Sequence, residues 1–223
     1  MPFISVFDVI GPNMVGPSSS HTAGACAIAF LAQKMNSGVL KKAEFTLYGS
    51  FARTYRGHGT DRALLGGIMG FSTDDIRIRD SFRIAEERGI EFSFTPDSTE
   101  TDIHPNTVDI RMTSDNGSTL TVRGESVGGG KIKIVRLNHV QIDFTGEYNA
   151  IIIIQKDKPG VAAHITRCLS EKNINIAFMR IFRETKGDNA YTIVESDDRL
   201  PAGLKDQLLA NPNVQDAMII QND

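Results

Sequence analysis

The chain has 223 residues and a formal charge of −3, from 24 lysines and arginines set against 27 acidic residues. Basic and acidic residues interleave, which leaves no electrostatic footprint for nucleic acid, and no apolar run approaches the roughly 18 residues needed to cross a bilayer. The length suffices for two modest domains with separate cores, and Met1-Pro2-Phe3-Ile4 lacks the basic-then-apolar order of a targeting segment, so the chain reads as cytoplasmic.

The first element is a helix expected over about 17 to 36, and Gly16-Pro17-Ser18-Ser19-Ser20-His21-Thr22 places four hydroxyls and an imidazole at its start. From Ala23 to Ala32 the residues are small or apolar, which predicts a buried helix whose polar N-terminus opens onto a cavity. Free N–H groups and the positive dipole end there suit a carboxylate. A helix cap alone needs a single Ser or Thr. A strand follows at Glu44 to Tyr48. Then Arg56-Gly57-His58-Gly59-Thr60-Asp61 sets a histidine between two glycines, so that the backbone can turn tightly and approach a ligand. Asp61 or Thr60 is the expected cap of a helix over about 60 to 70, with Leu64, Leu65, Ile68 and Met69 facing a core.

A helix near 80 to 88 carries a charged run, Arg77 to Arg88, that reads as exposed surface. Strands are expected at Phe92 to Thr95, Thr107 to Thr113, Ser118 to Gly124 and Lys131 to Leu137, with Asp115-Asn116-Gly117 as a hairpin turn. In His104-Pro105-Asn106 the proline fixes the geometry between an imidazole and an amide. Glu125-Ser126-Val127-Gly128-Gly129-Gly130 is either a backbone nest for an anionic ligand or a flexible hairpin loop.

Near Asp143 to Asn149 the pattern shifts, and the domain boundary is placed between 147 and 148. Ala150 to Ile154 is a continuous apolar run suited to a central strand. Asp157-Lys158-Pro159-Gly160-Val161 then turns into a helix with Val161, Ile165 and Leu169 at four-residue spacing. Strands at Ile176 to Arg183 and Ala190 to Ser196, a helix from about Ala202 to Leu209 and a strand at Val214 to Ile220 complete a βαββαβ order. The fold class is α/β or α+β. Cys26 and Cys168, the only cysteines, sit in apolar helical patterns and read as buried thiols. His139 is assigned to a polar turn and His164 to a solvated helix face.

The segment 148–223 resembles an ACT domain, a ferredoxin-like module that binds amino acids or small ions. The resemblance implies a ligand loop at Asp157, Gly160 and Val161, and modules stacked edge to edge so that the chain self-associates; a purely structural dimerisation role is the alternative. Ser18-Ser19-Ser20-His21-Thr22, Leu47-Tyr48-Gly49-Ser50, Gly57-His58-Gly59-Thr60-Asp61, His104-Pro105-Asn106 and Ser126-Val127-Gly128-Gly129-Gly130 together resemble the beta chain of bacterial iron–sulfur L-serine dehydratases. That resemblance spans essentially the whole chain and assigns residues 1–147 to a substrate-binding domain.

Enzymes of that family convert L-serine to pyruvate and ammonia without pyridoxal phosphate, using an exposed iron of a [4Fe–4S] cluster as Lewis acid. Such a cluster takes about four thiolates, so two cysteines cannot hold it, and the resemblance places its ligands in an alpha chain. This chain is then expected to form half of an active site with an alpha-chain partner and to bind no metal itself. His21 and His58 are the catalytic candidates. Ser18, Ser19, Ser20 and Thr22 are expected to bind the substrate carboxylate or ammonium, with His104, Asn106, Ser126, Gly128, Gly129 and Gly130 as further contacts. A pyridoxal-phosphate enzyme with the glycine run as phosphate cup is opposed by the roughly 147 residues available and by the lack of a lysine in a Schiff-base setting. A noncatalytic serine-sensing regulatory protein is the other reading, because serine binding does not require serine turnover.

Overall fold

Period-two burial builds the first sheet. In β1 (Leu40–Tyr48) Ala43, Phe45 and Leu47 are buried, whereas Lys42, Glu44 and Thr46 between them are only half covered. The buried three stand opposite Met112, Ile110 and Val108 on an antiparallel strand, which is β3 (Thr107–Ser114) once β2 (Glu91–Asp97) is counted along the other edge of β1, parallel to it. β4 (Thr119–Gly128) and β5 (Lys131–Leu137) continue the antiparallel run, giving the order β2-β1-β3-β4-β5 in this part of the chain. The computed structural model describes residues 13–222, so Met1-Pro2-Phe3-Ile4 and the targeting expectation attached to it lie outside the described residues.

One sheet face carries the helices. A π-helical turn, Ser19–Ala23, leads directly into α1 (Gly24–Met35), which packs on β4, on β5 and on α3 (Thr60–Ile68). Between these helices lies α2 (Gly49–Thr54), an element the sequence reading did not assign. A 3₁₀ turn, Ile76–Asp80, and α4 (Ser81–Glu87) follow, with Arg77, Arg79, Arg83 and Arg88 exposed as expected.

Burial of α1 is nearly total on two sides: Ala25, Cys26, Ile28, Ala29 and Ala32 are at most 1% exposed. Full burial of a side chain such as Ile28 contributes about 1.5–3 kcal/mol. The packing is close because glycines line it. A Cβ on Gly67 of α3 would lie 2.3 Å from the Cys26 carbonyl oxygen, and one on Gly124 of β4 would lie 2.3 Å from Ile28 Cγ2.

The cap of α3 differs from expectation. Gly59, at φ +66°, occupies the N-cap position without a side-chain hydrogen bond, Thr60 is buried, and Asp61 accepts from its neighbour's N–H, that of Arg62, and from its own. A left-handed glycine reverses the chain there, which removes the geometry a Thr or Asp cap needs.

By contact density the chain divides into two compact units, up to Asn138 and from His139 on. The division lies ahead of the expected 147/148 boundary because it assigns β6 (Val140–Phe144), another strand the sequence reading missed, to the second unit. That unit then runs β7 (Asn149–Lys156), α5 (Val161–Glu171), β8 (Phe178–Arg183), β9 (Asn189–Ser196), α6 (Leu204–Leu209) and β10 (Val214–Ile220). Its sheet order is β10-β7-β9-β8 with every pair antiparallel.

Val161, Ile165 and Leu169 pack with Ile151, Ile153 and Val194 in its core, as the four-residue spacing predicts. His164 is not on a solvated face. It is half-buried, and its Nε2 lies 3.2 and 3.1 Å from the carbonyl oxygens of Gln207 and Leu208, because α5 and α6 pack side by side. Cys26 and Cys168 are free buried thiols.

Gly67→Ala is expected to destabilise the full chain by about 1–3 kcal/mol through overpacking, because the atom it meets first is backbone rather than a movable side chain. The midpoint and slope of urea unfolding, monitored by far-UV circular dichroism, measure this; an unchanged midpoint would show that α1 and α3 separate freely.

Candidate active site

Ser18 sets the start of the helix. Its backbone is extended, at φ −138° and ψ 121°, and its Oγ accepts the His21 N–H at 3.1 Å. The Ser18 carbonyl accepts the N–H groups of both Thr22 (2.8 Å) and Ala23 (3.1 Å), which widens the first turn. The N–H groups of Ser19 and Ser20 precede these bonds, so no intrahelical acceptor exists for them. They stand at the positive end of a continuous π-to-α helix, where negative charge is favoured.

The widened turn presents His21 with hydroxyls at both ring nitrogens. Nδ1 lies 3.1 Å from Ser20 Oγ and 3.4 Å from Ser18 Oγ, and Nε2 lies 2.8 Å from Ser50 Oγ. The Phe51 ring meets the imidazole edge-on at 5.5 Å. His58 is the other neighbour, its ring centroid 4.8 Å from that of His21 and tilted by 44°. Burial, and secondarily the nearby His58, hold the His21 pKa below its ordinary value.

Thr22 ties the two motifs together, since its hydroxyl donates to the His58 carbonyl at 2.9 Å. His58 Nδ1 is buried without a hydrogen-bond partner among the described residues.

Ser50 arrives from the end of β1. Its N–H donates to the Pro105 carbonyl at 2.6 Å, and a Cβ on Gly49 would fall 2.6 Å from that same oxygen, so only glycine permits the approach. Thr54 Oγ1 returns to the Ser50 carbonyl at 2.8 Å. The segment His104-Pro105-Asn106 is itself folded tightly: the Asn106 N–H donates to His104 Nδ1 at 3.3 Å and the Thr107 hydroxyl to the His104 carbonyl at 2.6 Å. Its next contact is Ser126, whose N–H donates to the Asn106 carbonyl at 3.0 Å.

Ser126 backs onto the helix start, since a Cβ on Gly24 would lie 2.0 Å from its Oγ. Asn106 Oδ1 and Ser126 Oγ are both buried without partners among the described residues, two polar atoms of the kind that a ligand or water satisfies.

The structure therefore gathers Ser18, Ser20, His21, Thr22 and His58 directly, and links His104, Asn106 and Ser126 to them through Pro105 and Gly24. Ser19 takes part through its carbonyl, which accepts the Gly24 N–H. Gly128, Gly129 and Gly130 have a structural explanation of their own. Gly128 pairs with Lys131 just after a register shift, leaving Gly129 and Gly130, at φ +61° and +80°, as the two central residues of a tight hairpin. Positive φ at both positions is what such a turn requires.

In the second unit Gly160 is left-handed at the start of α5 and Val161 is buried. Asp157 is engaged by the Gly187 N–H at 3.0 Å and by Arg183 Nε at 3.5 Å. Ser50 and Phe51 are site residues that sequence reasoning passed over. Ser50 was visible only as part of Leu47-Tyr48-Gly49-Ser50, and its role depends on a partner 29 residues earlier.

Burial pushes the Cys26 pKa up to about 12 and raises that of Cys168, and among the described residues no three His, Cys, Asp or Glu side chains gather as a metal-binding group. The groups around His21 are hydroxyls, the His58 imidazole and the N–H donors of the first turn.

A sequence model of the serine dehydratase beta chain matches residues 5–136, and one of the ACT domain matches residues 149–213. The chain is 44% identical to the L-serine dehydratase, beta chain, of Peptoniphilus asaccharolyticus over 206 residues, 92% of each chain. It is 39% identical to a probable L-serine dehydratase, beta chain, of Bacillus subtilis (strain 168) over 214 residues, 96% of each. A D-3-phosphoglycerate dehydrogenase of Bacillus subtilis is 29% identical over 160 residues, 71% of this chain but 30% of that protein. Matched over most of its first unit and aligned almost end to end with these beta chains, the chain belongs to the serine dehydratase beta chain family, with an ACT domain following.

Proposed function

We propose that this chain is the substrate-holding subunit of a two-chain L-serine dehydratase, which converts L-serine to pyruvate and ammonia together with an iron–sulfur alpha chain. The observation that carries the reading is the imidazole pair, His21 and His58, 4.8 Å apart and joined to the serine-rich helix start through Thr22. Loss of water from serine needs the α-proton removed and the β-hydroxyl made a better leaving group. The aminoacrylate so formed tautomerises and is hydrolysed to pyruvate and ammonia.

Each part of the site answers one of these needs. Ser18, Ser19 and Ser20, with the open N–H groups of the first turn, hold the substrate carboxylate; a hydrogen bond to a charged group contributes about 1.5–3 kcal/mol. His21, both nitrogens occupied by hydroxyls, orients the substrate and remains neutral, so that it does not repel the ammonium. His58, with its Nδ1 unpartnered, is the group with capacity to take the α-proton. Asn106 Oδ1 and Ser126 Oγ offer further polar contacts. The cluster, held by the alpha chain, supplies a Lewis acid for the β-hydroxyl.

The ACT unit is the proposed self-association module, with Asp157, Gly160 and Val161 as its ligand loop. Its edge strand β8 leaves Phe178 50% and Ile181 46% exposed, consistent with a strand that meets a second copy. No helix among the described residues is long and apolar enough to cross a membrane, which accords with a cytoplasmic enzyme.

A regulatory reading has one observation in its favour: most of this chain also matches a minor part of D-3-phosphoglycerate dehydrogenases. A sensor, however, needs no pair of imidazoles at its ligand. Replacements at the two histidines separate the readings, since loss of kcat marks catalysis and loss confined to KM marks binding.

The purified chain alone is expected to show no serine consumption in an anaerobic assay, and to become active when combined with its alpha chain. Activity of the isolated chain would refute the division of the site. His58→Ala in the assembled enzyme should lower kcat at least tenfold while subunit assembly and cluster absorbance stay as in the wild type; near-normal turnover would remove His58 from the mechanism.

The lowered pKa of His21 also has a signed consequence. As pH falls through the ordinary histidine value of about 6.5, the unfolded chain takes up a proton that the folded chain refuses, so stability declines until the lowered value is passed. The difference in unfolding free energy between wild type and His21→Asn should therefore narrow between pH 7.5 and 5.5, and a difference constant over that range would count against a neutral, half-buried His21.

A further inference from the structure

On the sheet face opposite the helices a charged cluster surrounds Arg123, which is only 8% exposed. Its neighbours on β4, Val122 and Gly124, turn to the helix layer, so Arg123 projects the other way. The guanidinium makes two bidentate pairs. Nε and Nη2 donate to Asp109 Oδ1 and Oδ2 at 2.6 and 2.8 Å, and Nη1 and Nη2 donate to Glu100 Oε1 and Oε2 at 2.7 and 3.0 Å. It also lies over the Tyr48 ring at 4.8 Å, while the Tyr48 hydroxyl donates to Asp109 Oδ2 at 2.9 Å and Arg136 adds a second cation to that carboxylate at 2.8 Å. Burial and Asp109 push the Tyr48 hydroxyl up to about 12, so it remains a donor.

The two groups held by Arg123 belong to the two segments that meet at Ser50. Tyr48 lies two residues before Ser50 at the end of β1. Glu100 lies in the connection from β2 to β3, whose far end carries Pro105, and the Pro105 carbonyl accepts the Ser50 N–H at 2.6 Å. The contacts close a ring: Arg123 to Tyr48, along the chain to Ser50, across to Pro105, back along the loop to Glu100, and to Arg123 again. Ser50 Oγ points out of this ring at His21 Nε2, 2.8 Å away. A buried ion pair adds little net stability over apolar replacements of the same shape, whereas bidentate pairing fixes geometry in two directions.

We propose that Arg123 is a positioning residue for the site: by holding Tyr48 and Glu100 together it sets where Ser50 stands, and through Ser50 it fixes the orientation of the His21 imidazole. The catalytic consequence of this rests on the function proposed above; the positioning itself does not. Arg123 touches no substrate in this scheme. Its effect on His21 is transmitted through one hydroxyl.

The test uses ¹⁵N-histidine-labelled full chain and the assembled enzyme in parallel. Glu100→Ala releases the loop but leaves the Arg123–Asp109 pair intact, and Glu100 is exposed enough for the variant to fold. In the labelled chain the His21 titration should move up toward the ordinary histidine value and its Nε2 resonance should shift. Glu100→Gln, which keeps a hydrogen-bonding oxygen opposite Arg123, should restore most of the wild-type behaviour, and Glu44→Ala, on the same sheet face and paired with Lys42, should change nothing. In the assembled enzyme Glu100→Ala should lower kcat at least fivefold with KM within twofold of wild type. An unchanged His21 titration in both Glu100→Ala and folded Arg123→Met overturns the proposal, whatever happens to turnover. A shifted His21 with normal turnover supports the positioning role and overturns instead the use of His21 in catalysis.

Discussion

The arrangement of the first unit depends on how closely α1 is clasped. Gly67 from α3 meets it at the Cys26 carbonyl, and Gly124 from β4 meets it at Ile28, each at a distance that leaves no room for even a methyl group. Interiors packed this tightly transmit displacement instead of absorbing it. A helix held on both sides cannot slide or roll, and its first turn is consequently held in place against the loops around it. Gly24 against Ser126 extends the same contact into the site itself.

What the clasp delivers is a polar helix start on an apolar body. Ser18 to Thr22 meet Ser50 at the start of α2 and the carbonyl of the glycine-flanked His58, and the Pro105 carbonyl in turn holds the N–H of Ser50. Backbone contacts explain why short, proline- and glycine-marked loops suffice where longer side chains would otherwise be needed. The imidazole pair stands in the middle, and the desolvation that keeps His21 neutral comes from the same packing that anchors the helix. The polar network around Arg123 works from the opposite face of the sheet, so the site is braced from two sides.

Much of this was legible as pattern. A strand ending at Tyr48, the Asp115-Asn116-Gly117 turn, the four-residue spacing in α5 and the βαββαβ order of the ACT domain follow from residue type and local spacing, and appear as expected. The misses have physical causes. α2 is six residues long and β6 five, too short for periodicity to register. Gly59 displaced the expected Asp61 or Thr60 cap because a left-handed residue answers to the chain reversal around it. His164 was assigned to solvent because α6, which supplies its carbonyl partners, is 43 residues away in the chain.

Sequence alone determined the family motifs, the two-part organisation and the kind of chemistry available: hydroxyls, imidazoles, an amide and bare backbone in the first part, and too few cysteines for a cluster. It could do so because residue type and short-range spacing are local properties. Only the tertiary structure decided which of these groups meet. That His21 uses Ser50 and neighbours His58, and that Arg123 joins Tyr48 to Glu100, depend on contacts between residues 23 to 75 positions apart. Such contacts arise from how the helix and sheet layers pack, and no local periodicity encodes them.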